Sequence, residues 1–191
     1  MAKKILKLSK KKKKWYSIVA PKEFKFKEVG ESLLSEPELL IGKPIVVNLS
    51  LLTGDYRNQN YRLKLMVENV LEGKGQTEIK EYYLSNTYHK KMVSSNKEKI
   101  FDSFVVETAD DIKVKIKPII IIRNKVTQSV LSSLRLETRK VLTGKIKKMK
   151  FEDLVRNVIS LKLQKELKVD LKKIYPVQVI EFSKIIKLDK K

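Results

Sequence analysis

The sequence predicts an α+β fold: a mainly antiparallel sheet accompanied by three to four helices, with a disordered basic N-terminal arm over residues 1–14. Three observations carry that prediction. Apolar and polar residues alternate with a period of two through several stretches between residues 15 and 122 and again near the C-terminus. Residues 126–174 instead place apolar side chains at helical spacing. The first fourteen residues hold eight lysines and no acid, too much charge for too little apolar surface to pack. With 191 residues, 42% of them hydrophobic, the remainder can bury a core, and residues 15–191 are expected to form one domain.

Order is expected to begin at Trp15. Residues 15–19 form a β-branched and aromatic run stopped by Pro21, and Phe24 and Phe26 alternate with lysines as a second candidate strand. ESLLSEPELLIG, residues 31–42, is the one acidic patch, and its Pro37 and Gly42 predict a turn-rich connection or one short helix. Residues 44–52 and 61–70 are strands, with Tyr61, Leu63, Leu65 and Val67 on one face of the second. A glycine turn at residues 72–76 leads into the next strand, 77–83. Its GxG pair lacks the Lys-Ser/Thr and the helix that a phosphate loop needs, so it reads as a hairpin turn.

Residues 85–95 form a short helix carrying Lys90 and Lys91. Residues 100–107 and 112–122 flank Thr108-Ala109-Asp110-Asp111, a hairpin signature, and lysines 113, 115 and 117 make one face of the second strand basic. A helix over residues 126–143 places Val130, Leu131, Leu134, Val141 and Leu142 within an arc of about 120° and ends at Gly144 as C-cap. The next helix starts near Lys150 with Glu152 and Asp153 where negative charge suits the dipole, and has Phe151, Leu154, Val155, Val158 and Ile159 inward. Residues 161–174 extend or reorient it, with Leu163, Leu167, Leu171 and Ile174 on one side, until Tyr175-Pro176 ends it. Residues 177–188 form a closing strand.

Charge is the compositional outlier. There are 43 Lys and Arg against 22 Asp and Glu, a formal net charge of +21. Residues 1–27 hold eleven lysines and one glutamate, and residues 123–150 hold nine basic residues and one glutamate, so two windows carry nearly all the excess. Segregated cations that neutralise phosphates give sequence-independent, salt-dependent affinity, whereas a solubility-promoting surface mixes both signs. The expected partner is therefore nucleic acid rather than a membrane surface. The longest uncharged stretch, residues 44–54, has eleven residues where a membrane helix needs roughly 20. Ile18 to Ala20 is cut short by Pro21 and Lys22 where an export signal would continue, and with no cysteine for disulfides the expected location is the cytosol.

Nothing in the sequence points to catalysis, a metal or a cofactor. The single histidine, His89, has no second His and no Cys to share a metal, and reads as a surface or RNA-facing side chain. Asp110-Asp111 is explained by turn chemistry and Glu152-Asp153 by helix polarity.

KKWYSIVAP, EVGESL, EPELLIGKPIVVNLSLLTGD, IKVKIKPIIIIRN and KKIYPVQVIEFSKI occur in that order from about Lys13 to Leu188. As an ordered set they resemble the 3Ae family of small-subunit ribosomal proteins of archaea and eukaryotes. The resemblance implies a barrel-like sheet with helices and a structural role in the small ribosomal subunit in the cytoplasm, without enzymatic activity or homo-oligomerisation. It implies binding to small-subunit rRNA on the platform near the messenger exit, beside the 3′ end of that RNA, with neighbouring small-subunit ribosomal proteins and mRNA as further partners. The short C-terminus resembles archaeal members. Where relatives carry an arginine-rich helix this chain has YYLSNTYHKKMVSSNKEKI, residues 82–100, so that Lys90 and Lys91 would stand in for those contacts. A transient RNA-binding factor in translation or ribosome assembly would share the same charge.

Two groups of rRNA-binding residues follow. The first is the arm, Lys3, Lys4, Lys7, Lys10, Lys11, Lys12, Lys13 and Lys14, with Trp15, Tyr16 and Lys22 at its root. In a strand Trp15 and Tyr16 point to opposite faces, so one ring is free to stack on RNA and the other packs; Trp15 is expected to be the core ring. The second is Arg123, Lys125, Arg135, Arg139, Lys140, Lys145, Lys147 and Lys148, in which arginine is suited to gripping phosphate with two parallel bonds.

Overall fold

The chain, described here from a computed structural model, divides into two compact units, Met1–Ile45 with Leu65–Glu78 and Val46–Lys64 with Ile79–Lys191. Within them the structure describes residues 12–93 and 97–188. Nine strands and five α-helices occur among the described residues, so the α+β class holds.

The first unit is built on β1 (Lys14–Val19) and β2 (Glu28–Leu34), an antiparallel pair with Trp15 opposite Leu33 and Ser17 opposite Glu31. Pro21 starts a 3-10 turn, Lys22–Phe24, and Lys25 and Phe26 adopt positive φ, after which the amide of Ala20 donates to the carbonyl of Lys27 at 2.8 Å. Phe24 and Phe26 thus reverse the chain between two strands and cannot themselves be strand. The acidic stretch is likewise half strand: EVGESLL pairs with β1, and only Pro37–Leu40 turns. Pairing, not propensity, makes β2, since Gly30 and the glutamates favour no strand alone.

In this unit Tyr16, Ile18 and Ala20 share one face of β1, and Ile18 packs with Leu40 and Val67 while Tyr16 lies against that cluster. Gly75 is needed here. A β-carbon on it would come within 3.2 Å of Val67 and 3.4 Å of Leu40, which keeps the parallel pairing of Ile18 with Gly75 close.

The second unit begins in β3 (Pro44–Asn48), whose last residue caps α1 (Leu49–Thr53) by accepting from the amide of Ser50 at 3.1 Å. The expected strand is therefore cut at Asn48, a preferred N-cap residue. β4 (Tyr61–Leu71) and β5 (Lys74–Leu84) form the expected hairpin, turning at Glu72 and Gly73, both at positive φ. All four inward residues read from the alternation, Tyr61, Leu63, Leu65 and Val67, are buried.

Beyond α2 (Asn86–Met92), β6 (Glu98–Phe101) and β7 (Phe104–Glu107) pair in succession with β8 (Lys113–Ile122). The sequence predicts one long strand where β6 and β7 stand. The break at Asp102 and Ser103 faces Pro118, which cannot donate to a ladder, at a register shift between Lys117 and Pro118. β9 (Val179–Lys187) lies antiparallel to β5 and β8. Among the described residues the pairing path runs β2-β1-β5-β9-β8-β6 with β3, β4 and β7 off it, which does not confirm the barrel-like element of the expectation.

Among the described residues the α-helices number five rather than three or four. α3 (Gln128–Ile146) runs through Gly144 instead of ending there. Leu134, Thr138, Leu142 and Ile146 continue one buried stripe, and burying Ile146 outweighs the roughly 1 kcal/mol that glycine costs inside a helix. α4 (Phe151–Ile159) and α5 (Lys162–Leu171) are separate because Leu161 between them adopts φ 57°. α5 also stops at Leu171, which leaves Ile174 exposed. Asp110 at the β7–β8 turn accepts from the amide of Phe151 at 3.1 Å, and the amide of Ala109 donates to the carbonyl of Met149.

A polar cluster lies within this core. The Tyr61 hydroxyl donates to Glu181 Oε1 at 3.1 Å, the Tyr61 and Tyr82 rings stack at 5.7 Å, and Tyr88 meets Tyr61 edge-on. Burial pushes the Glu181 carboxyl above its ordinary value of about 4.5, against the opposing effect of donors from Tyr61, Gln164 and the Phe182 backbone. A carboxyl raised in the folded state binds more protons folded than unfolded. Stability is therefore lost as pH rises from about 4.5 through the raised value. Replacing Glu181 with Gln is expected to remove that loss, so urea denaturation between pH 4 and 8 should show the variant gaining on the parent as pH rises. A constant difference would place the charge elsewhere.

Candidate nucleic-acid interface

In the first unit Lys12, Lys13 and Lys14 are exposed at the start of β1. Lys3, Lys4, Lys7, Lys10 and Lys11 lie outside the described residues. Trp15 is 66% exposed, which corrects its assignment to the core. The reason is its register: Ile18 and Ala20 fix which face of β1 is inward, and period two then puts Tyr16 with them and Trp15 with Ser17 and Val19. Trp15 and its cross-strand neighbour Leu33, itself 43% exposed, form an open apolar pair beside the lysines. Lys22 is exposed in the 3-10 turn.

In the second unit Lys90 and Lys91 are exposed on α2, and Arg123 and Lys125 on the link after β8. α3 presents Arg135, Arg139 and Lys140 to solvent, followed by Lys147 and Lys148 at its end. Its stripe of Leu134, Thr138, Leu142 and Ile146 is what aims these side chains outward, since the buried residues occupy one side of the helix.

Two of the predicted phosphate grips are engaged within the protein instead. Arg139 donates from Nε to Asp102 Oδ2 at 3.2 Å and from Nη2 to Oδ1 at 2.7 Å, and its guanidinium carbon lies 5.4 Å from the centre of the Phe104 ring. These bonds raise its pKa further above the usual arginine range. Lys145 is half-buried and joins Glu166 at 3.1 Å and Asp170 at 3.0 Å, tying α3 to α5. Burial works to lower its pKa, but the hydrogen bonds to Asp170 and Glu166 prevail and raise it. Lys145 serves the fold, and Arg139 has its Nε–Nη2 edge held by Asp102 while its plane stays fixed beside Phe104.

Sequence reasoning missed the surroundings of Arg139. An open pocket of about 360 Å³ is lined by Phe101, Asp102, Lys117, Arg135, Arg139 and Ser183, among others. The rings of His89 on α2 and Phe101 are 6.0 Å apart. The only trace in the sequence is Asp102-Ser103 interrupting an otherwise regular strand. Among the described residues no group of three or more His, Asp or Glu is placed to hold a metal, and no helix is long and apolar enough to cross a membrane.

Comparison with known proteins bears on the chain as a whole. A small ribosomal subunit protein eS1 from Nanoarchaeum equitans is 31% identical over 166 residues, 87% of this chain and 84% of its own length. The proteins of the same description from Methanobrevibacter smithii and Halorubrum lacusprofundi are 30% and 29% identical over 91% and 93% of this chain, with 90% and 82% of their own lengths covered. Residues 2–191 match the family model described as the Ribosomal S3Ae family, and the chain belongs to that family.

Proposed function

We propose that this chain is a structural constituent of the small ribosomal subunit in the cytoplasm, with no catalytic role of its own. It binds small-subunit rRNA on the platform near the messenger exit, next to the 3′ end of that RNA, in contact with neighbouring small-subunit proteins and with mRNA as it leaves. The observation that carries this reading is the match of nearly the whole chain to a ribosomal family whose similar archaeal members are named as small-subunit proteins. The exposed cations of α3, α2 and the root of β1 supply the physical means, because lysine and arginine on a solvent face neutralise phosphates by counterion release.

In this reading Lys12 to Lys14 follow the RNA backbone, with the rest of the basic arm preceding them, and Trp15 is the ring left free to stack on a base or sugar. Arg123, Lys125, Arg135, Lys140, Lys147 and Lys148 contact phosphate, and Lys90 and Lys91 add charge from α2.

Sedimentation tests the assignment. A resident constituent is expected to stay with small subunits through a high-salt wash on a sucrose gradient, at one copy per particle, whereas recovery at the top of the gradient would mean a transient factor. Crosslinks from the retained protein to the 3′ end of the RNA check the platform position.

A further inference from the structure

We infer that the pocket between the β6–β7 break, β8, β9 and α3 takes a single unpaired nucleotide of RNA, stacked between Phe101 and the Arg139 guanidinium. This rests on the RNA-binding reading above and adds to it a site that discriminates unpaired from paired RNA.

The argument starts from the state of Arg139. Asp102, whose side chain is only 10% exposed, accepts two of its N–H groups, and Phe104 supports the guanidinium from one side. One of the two edges that could grip a phosphate with two parallel bonds, the Nε–Nη2 edge, is thus already used. About half of the side chain, 48%, nevertheless remains exposed, and it forms part of the pocket wall. A guanidinium held flat in this way is a stacking surface for a base, because its orientation is fixed before binding and little entropy is lost.

Phe101 supplies the second surface. It sits at the end of β6, 48% exposed, beside the His89 ring, and lines the same pocket as Arg139. An apolar ring left this open on a strand end, next to charged groups, suits a ligand with a planar face and an anionic tail. Arg135 lies one helical turn before Arg139, and Lys117 of β8 also lines the pocket. Both are cations in the same pocket, and neither has a carboxylate within ion-pair distance among the described residues. The hydroxyl of Ser183 adds a donor or acceptor for a base edge.

Size sets the limit on the ligand. A pocket of about 360 Å³ falls at the lower end of the roughly 300–1,000 Å³ typical of small-molecule sites, which admits one base with its sugar and leaves no room for a paired step. A base in a duplex is covered on both faces by its neighbours, so only a bulged or single-stranded nucleotide can present its face to Phe101.

The test compares the full chain binding to two RNA hairpins of identical sequence apart from one inserted nucleotide, the first fully paired and the second with a single bulged adenosine. The bulged hairpin is expected to bind about tenfold more tightly. Phe101→Leu, which keeps the apolar bulk but removes the ring, should bring that ratio close to one. Asp102→Asn adds a net positive charge and frees Arg139: if Asp102 positions the guanidinium, the ratio falls even though overall RNA affinity holds or rises, and if Asp102 merely reduces charge, the ratio is unchanged. Equal affinity of the parent for both hairpins, or a ratio that survives both substitutions, would overturn the site while leaving RNA binding intact. Failure to bind either hairpin would instead overturn the broader reading. Competition by adenosine monophosphate at micromolar concentration would show a site for free nucleotides and reject an RNA ligand.

Discussion

Replacing Arg135, Lys140, Lys147 and Lys148 together with alanine is expected to weaken binding to small-subunit RNA roughly a hundredfold or more near physiological salt. All four side chains are exposed, and none is tied to a carboxylate among the described residues as Arg139 and Lys145 are. Every phosphate left without its cation should also lower the slope of log affinity against log salt by about 0.7 to 0.9, so four such phosphates predict a drop of about 3. The slope is the decisive reading, because it reports how many phosphates are neutralised rather than general damage. Three of the four positions lie in or at the end of a helix in which alanine is the best former, so the melting transition should hold. A slope change below one would mean that this surface of α3 faces away from RNA. Salt titration by filter binding or fluorescence anisotropy decides it.

Truncating Phe182 to alanine is expected to cost about 3–5 kcal/mol, a large fraction of the 5–15 kcal/mol that holds an ordinary domain together. The ring is fully buried on β9, a strand hydrogen-bonded to both β5 and β8 and packed against α5. A strand paired on both edges cannot shift to close the resulting cavity without disturbing its neighbours. Leu136→Ala provides the contrast. Its side chain is 68% exposed on α3, and its removal should change stability by less than about 0.5 kcal/mol. Urea denaturation of the two variants beside the parent tests both numbers, and a cost below about 1 kcal/mol for Phe182→Ala would show that the core relaxes to fill the space.

What the sequence discloses and what it conceals divide along a physical line. The face of β4, the turn at Glu72 and Gly73, the β7–β8 hairpin and the inward stripe of α4 are all set by residues within a few positions of each other, and each is legible. The failures involve partners distant along the chain. β2 is a strand because β1 lies beside it; α3 passes Gly144 because Ile146 finds a core to enter. Arg139 and Lys145 read as free cations because Asp102 is 37 residues away and Glu166 is 21. Charge counting locates the basic segments correctly but cannot say which of their members the fold itself occupies. Trp15 is a different case. Ile18 and Ala20 already mark the inward face of β1, and counting back by two places Tyr16 there.

The hydrogen bond between Asp110 and Phe151 bears on how this protein is made. α4 has nine residues, well short of the roughly 12–15 at which an isolated helix begins to hold its shape in water. Its first turn has no cap from its own Lys150 and takes its acceptor from a hairpin tip 41 positions upstream. The ribosome that synthesises the chain releases that tip first, so the anchor already exists when the segment needing it emerges.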